Sequence, residues 1–140
     1  MNSIKVAAAP VPSEHAEQSV VVQWFWTQHP ALRKCLFAIP NGAHLAGTPS
    51  QRAAKMAKMK AEGFQPGVSD LFLMVARGQY HGLWIEMKRR NASPSDTSDD
   101  QAAFLERAHR EGYLGVVCKG AQPAIAAIGE YLKLQARAAA

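Results

Sequence analysis

The residues from Gly63 to Arg90 constrain the fold more than any other part of the chain. They contain two apolar runs, at residues 70–76 and 83–88, and a glycine-bounded turn between them at residues 77–82. Runs of this length and composition predict the two strands of a buried β-hairpin. Asp70 nevertheless opens the first strand, and Glu86 and Lys88 lie at the end of the second. Burying a charge is costly unless the charge is paired, hydrogen-bonded or bound to a metal, so these three residues need a chemical explanation.

Strand geometry predicts which of these side chains share a face. Side chains alternate along a strand, so Glu86 and Lys88 point to one face while Ile85 and Met87 point to the other. If Asp70 lies opposite Lys88 in the hairpin, it joins the Glu86 face, where directly opposed side chains are about 5 Å apart and diagonal ones about 7–8 Å. A slip of one residue in register would send Asp70 to the other face.

Carboxylates at such spacing indicate a divalent-metal site for phosphodiester cleavage. Asp70 and Glu86 would hold Mg²⁺ or Mn²⁺ with the Met87 main-chain carbonyl, since these cations prefer oxygen ligands. Lys88 would position a water and offset negative charge in the transition state. The five histidines show no spacing that suggests zinc. The alternative is structural, because E-x-K is a common pattern, and Lys88 would then form an ion pair with either carboxylate.

Length and composition limit the chain to one globular domain. With 140 residues, 48% apolar and 19% charged, there is room for one core. Residues 1–12 are expected to be a disordered leader, residues 13–137 the domain, and residues 138–140 a frayed tail. No apolar run approaches the roughly 18 residues that span a bilayer. The leader is too short and too weakly apolar for a signal peptide, which favours a cytoplasmic protein. Cys35 and Cys118 lack a C-x-x-C partner and are expected to be reduced thiols.

The remaining pattern predicts four helices and two further strands around the hairpin. Ser13 is a cap-competent residue before a helix that stops at His29-Pro30, and Ser50 is a candidate cap for a second helix. The predicted helices span residues 13–28, 49–62, 101–111 and 123–137, and the added strands span 35–39 and 113–118. This order predicts an α/β fold, with a small mixed sheet flanked by helices. The three tryptophans are expected in the core or at a dimer interface rather than as base-stacking platforms.

The charge balance suits a polyanionic partner. The net charge is +5 and the pI is about 9.5, although a solvated basic surface gives the same count. The helix at 49–62 is strongly basic, and its Lys55 is either a DNA-backbone contact or part of a solvated face. Arg89, Arg90 and Lys119 are candidate phosphate contacts near the predicted cleft, with ordinary surface charge as the alternative.

Four motifs in order along the chain together resemble one nuclease family. They are P-N-G at 40–42, K-x-x-G-x-x-P-G-V-x-D-L at 60–71, H-G-L-W-I-E-M-K at 81–88 and D-D-Q-A-A-F-L-E at 99–106. Residues 13–132 look like the VRR-NUC family of the PD-(D/E)xK superfamily, whose small stand-alone members are often encoded by phages. One departure is Ser69, where many relatives have proline before the acid.

The resemblance implies a restriction-endonuclease-like core and a larger site. Asp70, Glu86 and Lys88 would be catalytic, and an acid on the first helix would complete the metal site. The family pattern, an acid four residues before a glutamine, falls on Glu14, with Glu17 one turn further along as the alternative. Gln101 matches the family's glutamine at the start of the helix after the E-x-K strand, where it would orient a metal-bound water or the backbone phosphate. The alternative is an exposed polar residue in the first helical turn. Stand-alone members resemble junction-resolving enzymes, which implies a homodimer.

The sequence therefore predicts an Mg²⁺- or Mn²⁺-dependent DNA endonuclease in a phage or bacterial host cytoplasm. A chain this small offers little surface for base reading, since single DNA-binding modules bury only about 600–1,000 Å². Branched or flapped DNA, recognised by shape, is the expected substrate. The alternative function is a non-catalytic DNA-binding or assembly module that kept the nuclease fold.

Overall fold

A computed structural model of the protein describes residues 4, 6–40 and 45–137. The α/β prediction is confirmed: these residues form helices on both sides of a four-stranded sheet. The helices are α1 Glu14–Gln28, α2 Pro49–Ala61, α3 Asp99–Arg110 and α4 Ala121–Leu132, and the strands are β1 Leu36–Ala38, β2 Leu71–Leu73, β3 Leu83–Lys88 and β4 Leu114–Lys119. Short 3₁₀ helices at Pro30–Cys35 and Pro94–Asp96 add to these elements. None of the helices in the described residues is long and apolar enough to cross a membrane.

The sheet is mixed, with strands in the order β1-β2-β3-β4. β1 with β2 and β2 with β3 pair antiparallel, whereas β3 and β4 pair parallel, with α3 as the crossover between them. β3 is an inner strand, and five of its six residues are buried. It therefore carries Glu86 and Lys88 into the interior, as the sequence predicted.

The two faces of the sheet have different cover. Leu83, Ile85 and Met87 are fully buried in the main core, which includes Val21 and Phe25 of α1 and residues of α4. The even-numbered residues of β3 point to the opposite face, where α3 packs over β3 and β4. Apolar packing thus fills one face, while the polar residues share the other with α3.

The hairpin register differs from the predicted one by two residues. Leu71 pairs with Ile85, so extending the ladder by one residue places Asp70 opposite Glu86, not Lys88. A shift of two preserves the face of every side chain, so Asp70 and Glu86 still share one.

A surplus residue in the hairpin sets this register. Arg77 and Tyr80 pair across the turn, and Gly78 takes a positive φ of 55° at its first central position, which glycine adopts without steric cost. Between this bridge and the ladder, residues 74–76 oppose only residues 81–82. Without the extra residue, Asp70 would face Met87 and leave the site.

Three predicted boundaries are corrected. Thr48, not Ser50, caps α2. Its hydroxyl accepts a hydrogen bond from the Gln51 N–H at 3.2 Å, and the Gln51 side-chain oxygen accepts one from the Thr48 N–H. The first hairpin strand ends at residue 73 rather than 76. The last helix spans Ala121–Leu132 rather than 123–137. It begins earlier than predicted because its first N–H group donates to a distant carboxylate, which is described below. The predicted tail at 138–140 and residues 41–42 of the P-N-G motif lie outside the described residues.

Candidate active site

The ends of β2 and β3 bring the predicted acids together beside the first turn of α3. Glu86 and Lys88 are buried, and Asp70 is half-buried at the start of β2. All three lie on the sheet face that α3 covers, because Gln101 of α3 contacts both Glu86 and Lys88. The site is therefore built from one hairpin and one helix N-terminus.

Asp70 is held by the backbone of the neighbouring strand. Its Oδ2 accepts a hydrogen bond from the Met87 main-chain N–H at 2.7 Å. Burial raises the pKa of Asp70 above its ordinary value, and the Met87 N–H and the Lys88 ammonium only partly offset that effect. The bond fixes the carboxylate at the point where β3 carries Glu86.

Glu86 is the most desolvated carboxylate of the cluster, with only 1% of its surface exposed. Its Oε1 accepts from Gln101 Nε2 at 2.7 Å and lies 3.3 Å from Lys88 Nζ. Its buried Oε2 has no hydrogen-bond partner among the described residues. Burial, followed by the charge of Asp70, raises the pKa of Glu86 to about 7. The charge of Lys88 and its contact with Glu86 only partly offset this rise.

Gln101 joins the helix terminus to the site. Its Nε2 donates to Glu86, while its Oε1 accepts from Lys88 Nζ at 3.0 Å and from the Ser98 N–H at 2.9 Å. One amide orientation satisfies all three bonds, because only its nitrogen can donate to a carboxylate and only its oxygen can accept from an ammonium. Ser98 caps α3 in return, accepting from the Gln101 N–H at 3.2 Å. Gln101 thus positions both Glu86 and Lys88.

Glu14 lies at the mouth of the cleft. One cavity of about 270 Å³ is lined by Glu14 and Asp70, and another of about 370 Å³ by Glu14, Lys88 and Arg89. Although Glu14 is exposed, desolvation and then the Asp70 charge raise its pKa above the ordinary value. Its carboxylate therefore interacts with the same charges as the acids of the hairpin.

Glu17, the alternative to Glu14, has a different position and partners. It is 2% exposed, and its Oε2 accepts from the Ala121 N–H at 2.6 Å, capping α4. Its Oε1 binds Arg90 Nε at 2.7 Å and a terminal guanidinium nitrogen at 2.6 Å. The Ala121 hydrogen bond, and after it Arg90, lowers the pKa of Glu17 despite burial. Both oxygens of Glu17 already accept from protein donors, so Glu17 could bind a metal only by giving up one of these bonds.

Comparison with known proteins identifies the family. The profile of the VRR-NUC domain matches residues 9–122, which is most of the chain. This chain belongs to the VRR-NUC domain family. A solved structure described as a VRR_NUC domain protein is 30% identical and superposes with a TM-score of 0.75, covering 91% of this chain and 94% of the other. No protein with curated annotation matches the sequence. The family is one of nuclease domains, so the restriction-endonuclease-like fold predicted from the motifs is the fold of this chain.

The four predicted phosphate contacts of the VRR-NUC domain differ in availability. Arg90 forms an ion pair with Glu17, but 58% of its side chain is exposed, so its role as a DNA contact stays a prediction. Arg89 donates to the Val11 carbonyl at 3.2 Å, and Lys55 donates to the Ala46 carbonyl at 2.7 Å. Neither bond neutralises a charge, and Arg89, Lys55 and Lys119 are exposed.

Metal ligation in this VRR-NUC domain would need more than carboxylates. Within residues 4, 6–40 and 45–137, no group of three or more His, Cys, Asp or Glu side chains converges closely enough to hold a metal ion. The Oε2 of Glu86, buried without a donor among the described residues, nevertheless fits a cation, since leaving such an oxygen unpaired is costly. The residues present therefore fit a divalent ion bound by Asp70, Glu86 and non-side-chain oxygens.

Sequence reasoning missed an aromatic row on the same face. Phe37, Phe72 and Trp84 pair across β1, β2 and β3, and the Phe72 and Trp84 rings stack with centroids 4.3 Å apart. Trp84, expected in the core or at a dimer interface, packs edge-on against Phe104 of α3 at 5.0 Å. The alternation F-A-I at 37–39 and D-L-F at 70–72 is the signal that could have found the row. Phe72 lies two residues from Asp70, and Trp84 lies two residues from Glu86.

Proposed function

We propose that this VRR-NUC domain is an Mg²⁺- or Mn²⁺-dependent DNA endonuclease that selects branched or flapped DNA. The observation that carries the proposal is the pair of desolvated carboxylates on one sheet face, one of which keeps a buried oxygen without a donor. A buried oxygen without a donor needs an explanation, and a divalent cation, which takes oxygen ligands, supplies one.

Asp70, Glu86 and the Met87 main-chain carbonyl would hold the ion, with Glu14 reaching the cleft from α1. A divalent cation supplies charge stabilisation at the phosphoryl oxygens and lowers the pKa of water. Met87 fixes Asp70 through its N–H, and Gln101 fixes Glu86. The carboxylates are thereby pre-aligned, which is the condition for electrostatic catalysis.

Lys88 supplies the remaining positive charge. Its Nζ lies 3.3 Å from Glu86 Oε1 and 3.0 Å from Gln101 Oε1, in a nearly solvent-free position. An ammonium held there orients the attacking water and offsets charge that develops on the phosphate. The Glu86–Lys88 contact is also what a purely structural ion-pair network, as in a non-catalytic DNA-binding module, would contain, so activity has to separate the two functions.

The direct test is cleavage of a DNA panel with Mg²⁺ or Mn²⁺. Junction, flap, splayed and linear DNAs would be incubated with wild type, Asp70→Asn, Glu86→Gln and Lys88→Ala, with Glu106→Gln as a control because Glu106 pairs only with Arg110 on the α3 surface. We expect the three site variants to lose roughly 10²–10³-fold or more in rate and the control to match wild type. Equal residual activity in wild type and site variants would exclude the nuclease and leave DNA binding.

Metal binding has a readout independent of cleavage. A ligand that binds only the folded state stabilises it, by about 2.7 kcal/mol at 100 times Kd. Mg²⁺ or Mn²⁺ should therefore raise the Tm of wild type by roughly 5–10 °C and leave the Tm of Glu86→Gln unchanged. A shift of the same size in both proteins would show that the ion binds elsewhere.

A dimer is part of the same proposal. Two copies would present two sites to paired strands of a junction, and size-exclusion chromatography with light scattering measures the mass directly. A monomer at working concentration would restrict the proposal to nicking or flap cleavage.

A further inference from the structure

The row of residues next to the acids on the sheet consists of aromatic side chains. Asp70 and Glu86 occupy one row across β2 and β3, and Phe37, Phe72 and Trp84 occupy the row two residues away. Residues two apart along a strand share a face and are roughly 6.6–6.8 Å apart. A group bound at the acids would therefore have an aromatic surface as its immediate neighbour.

The aromatic row is rigid at its inner end and open at its outer end. Phe104 of α3 packs edge-on against Trp84, Trp84 stacks on Phe72, and Phe72 meets Phe37 edge-on with centroids 5.6 Å apart. Trp84 and Phe72 are half-buried, whereas Phe37 is 39% exposed. Each inner ring restrains the next, so Phe37 is a pre-positioned aromatic surface at the border of the site.

We propose that Phe37 is the stacking surface for one unpaired nucleobase of the substrate strand, next to the scissile phosphate. This inference rests on the proposed function, since it assigns a substrate feature to the same site. Only an unpaired base offers a free face, because bases within a duplex are stacked on their neighbours. Phe37 therefore makes the enzyme select DNA with a single-stranded segment at the cleavage point.

The size and setting of the surface favour a base over a second protein chain. A stable protein interface buries about 800 Å² on each partner, whereas the exposed large apolar side chains at this border of the site are Phe37 and Met74, which directly follows β2. The exposed cations Arg89 and Lys119 follow β3 and end β4, and unpaired strands are bound by aromatic stacking combined with positive charge. The same features give no reason for base sequence to matter, since every base has a stacking face.

The test is a cycle between a protein variant and a modified DNA. Wild type, Phe37→Ala, Phe37→Leu and Phe37→Trp would cleave a flapped DNA in which a single abasic residue is moved through the unpaired nucleotides. Val20→Ala is the matched control, since Val20 is similarly exposed but lies on α1. Stacking on aromatic side chains predicts a loss of about 5- to 100-fold in kcat/KM for Phe37→Ala, a similar loss for Phe37→Leu, and recovery in Phe37→Trp.

The abasic residue should reproduce the loss at one nucleotide position in wild type and have no further effect in Phe37→Ala. Additive losses, or wild-type rates in both Phe37 variants, would overturn the proposal. A change of oligomeric state in Phe37→Ala and Phe37→Leu would also overturn it, because Phe37 would then be a contact between copies.

A binding readout separates this proposal from the nuclease assignment. 2-Aminopurine at the same unpaired position, with EDTA present to prevent cleavage, reports stacking as fluorescence quenching. Quenching by wild type and not by Phe37→Leu supports the stacking surface even if no DNA is cleaved. Cleavage by wild type without quenching refutes the stacking surface and leaves the nuclease assignment intact.

Discussion

Glu14 and Glu17 lie one turn apart on α1 and have opposite pKa shifts. Desolvation and Asp70 raise the pKa of Glu14, whereas the Ala121 N–H and Arg90 lower that of Glu17. The folded protein stabilises the charged form of Glu17, whereas it disfavours the charged form of Glu14. Perturbed pKa values cluster at functional sites, which supports the proposal that Glu14 completes the site.

Glu17→Gln should destabilise the protein in a pH-dependent way. The folded-state pKa of Glu17 is below its unfolded value, so its contribution is fully present above about pH 4.5 and is lost as the pH falls through the folded-state value. We expect a loss of about 2–4 kcal/mol at pH 7 that shrinks below pH 4.5, measured by urea unfolding across this range. Glu14→Gln is the control and should cost nothing at pH 7, and a pH-independent loss for Glu17→Gln would contradict the linkage.

Gln101→Ala should weaken metal binding and cleavage. Gln101 positions both Glu86 and Lys88, and loss of a residue that orients metal ligands typically costs 10- to 100-fold in metal affinity or activity. Calorimetric titration with Mn²⁺ and cleavage rates would measure the effect.

Ser98→Ala separates this role from helix capping. Ser98 shares the capping box with Gln101 but has no bond to Glu86. We expect Ser98→Ala to cost about 1 kcal/mol of stability with metal affinity unchanged. Equal losses of affinity in both variants would mean that Gln101 acts only through the cap.

At the level of elements, the site depends on the contact between the segment before β2 and the start of α3. A Cβ on Gly67 would lie 2.4 Å from the Asp100 main-chain carbon, and Gly67 has a φ of 87°. The close approach holds the first turn of α3, and with it Gln101, against the hairpin.

Gly67→Ala should therefore cost more than backbone strain alone. Gly63 has a similar φ of 102°, but a Cβ added there would have no atom within 4 Å, so Gly63→Ala measures the strain alone, about 1–2 kcal/mol. We expect Gly67→Ala to lose more stability than Gly63→Ala and also to bind Mn²⁺ more weakly, as measured by thermal unfolding with and without the metal. Identical behaviour of the two variants would show that the contact with α3 is dispensable.

At the level of the whole molecule, the net charge of +5 should appear as salt-dependent DNA binding. Each phosphate contact contributes about 0.7–0.9 to the slope of log K against log salt concentration. Lys55→Ala should reduce that slope by about this amount, as measured by fluorescence anisotropy on flapped DNA in EDTA. Lys133→Ala is the control, since Lys133 already pairs with Glu130 at 3.0 Å, and an unchanged slope for Lys55→Ala would remove α2 from the DNA contacts.

Local patterns were sufficient for much of the architecture. Ser13, the apolar runs and the proline and glycine stops located the helices and strands to within a few residues, with larger errors only at the end of β2 and in α4. Alternation alone put Glu86 and Lys88 on one face of β3. These features depend on residues that are near one another in the chain, so secondary-structure propensity and periodicity are sufficient to predict them.

Contacts between distant residues decided the rest. The register that places Asp70 opposite Glu86 depends on one surplus residue at 74–76, and the start of α4 depends on Glu17, 104 positions away. The same Glu17 side chain also pairs with Arg90, and these contacts distinguish its surroundings from those of Glu14. The sequence by itself determined the elements and the identity of the acids on β2 and β3, because those are local properties. Only the tertiary structure decided which charges the fold neutralises and which it leaves for a ligand, because burial and pairing are properties of packed neighbours.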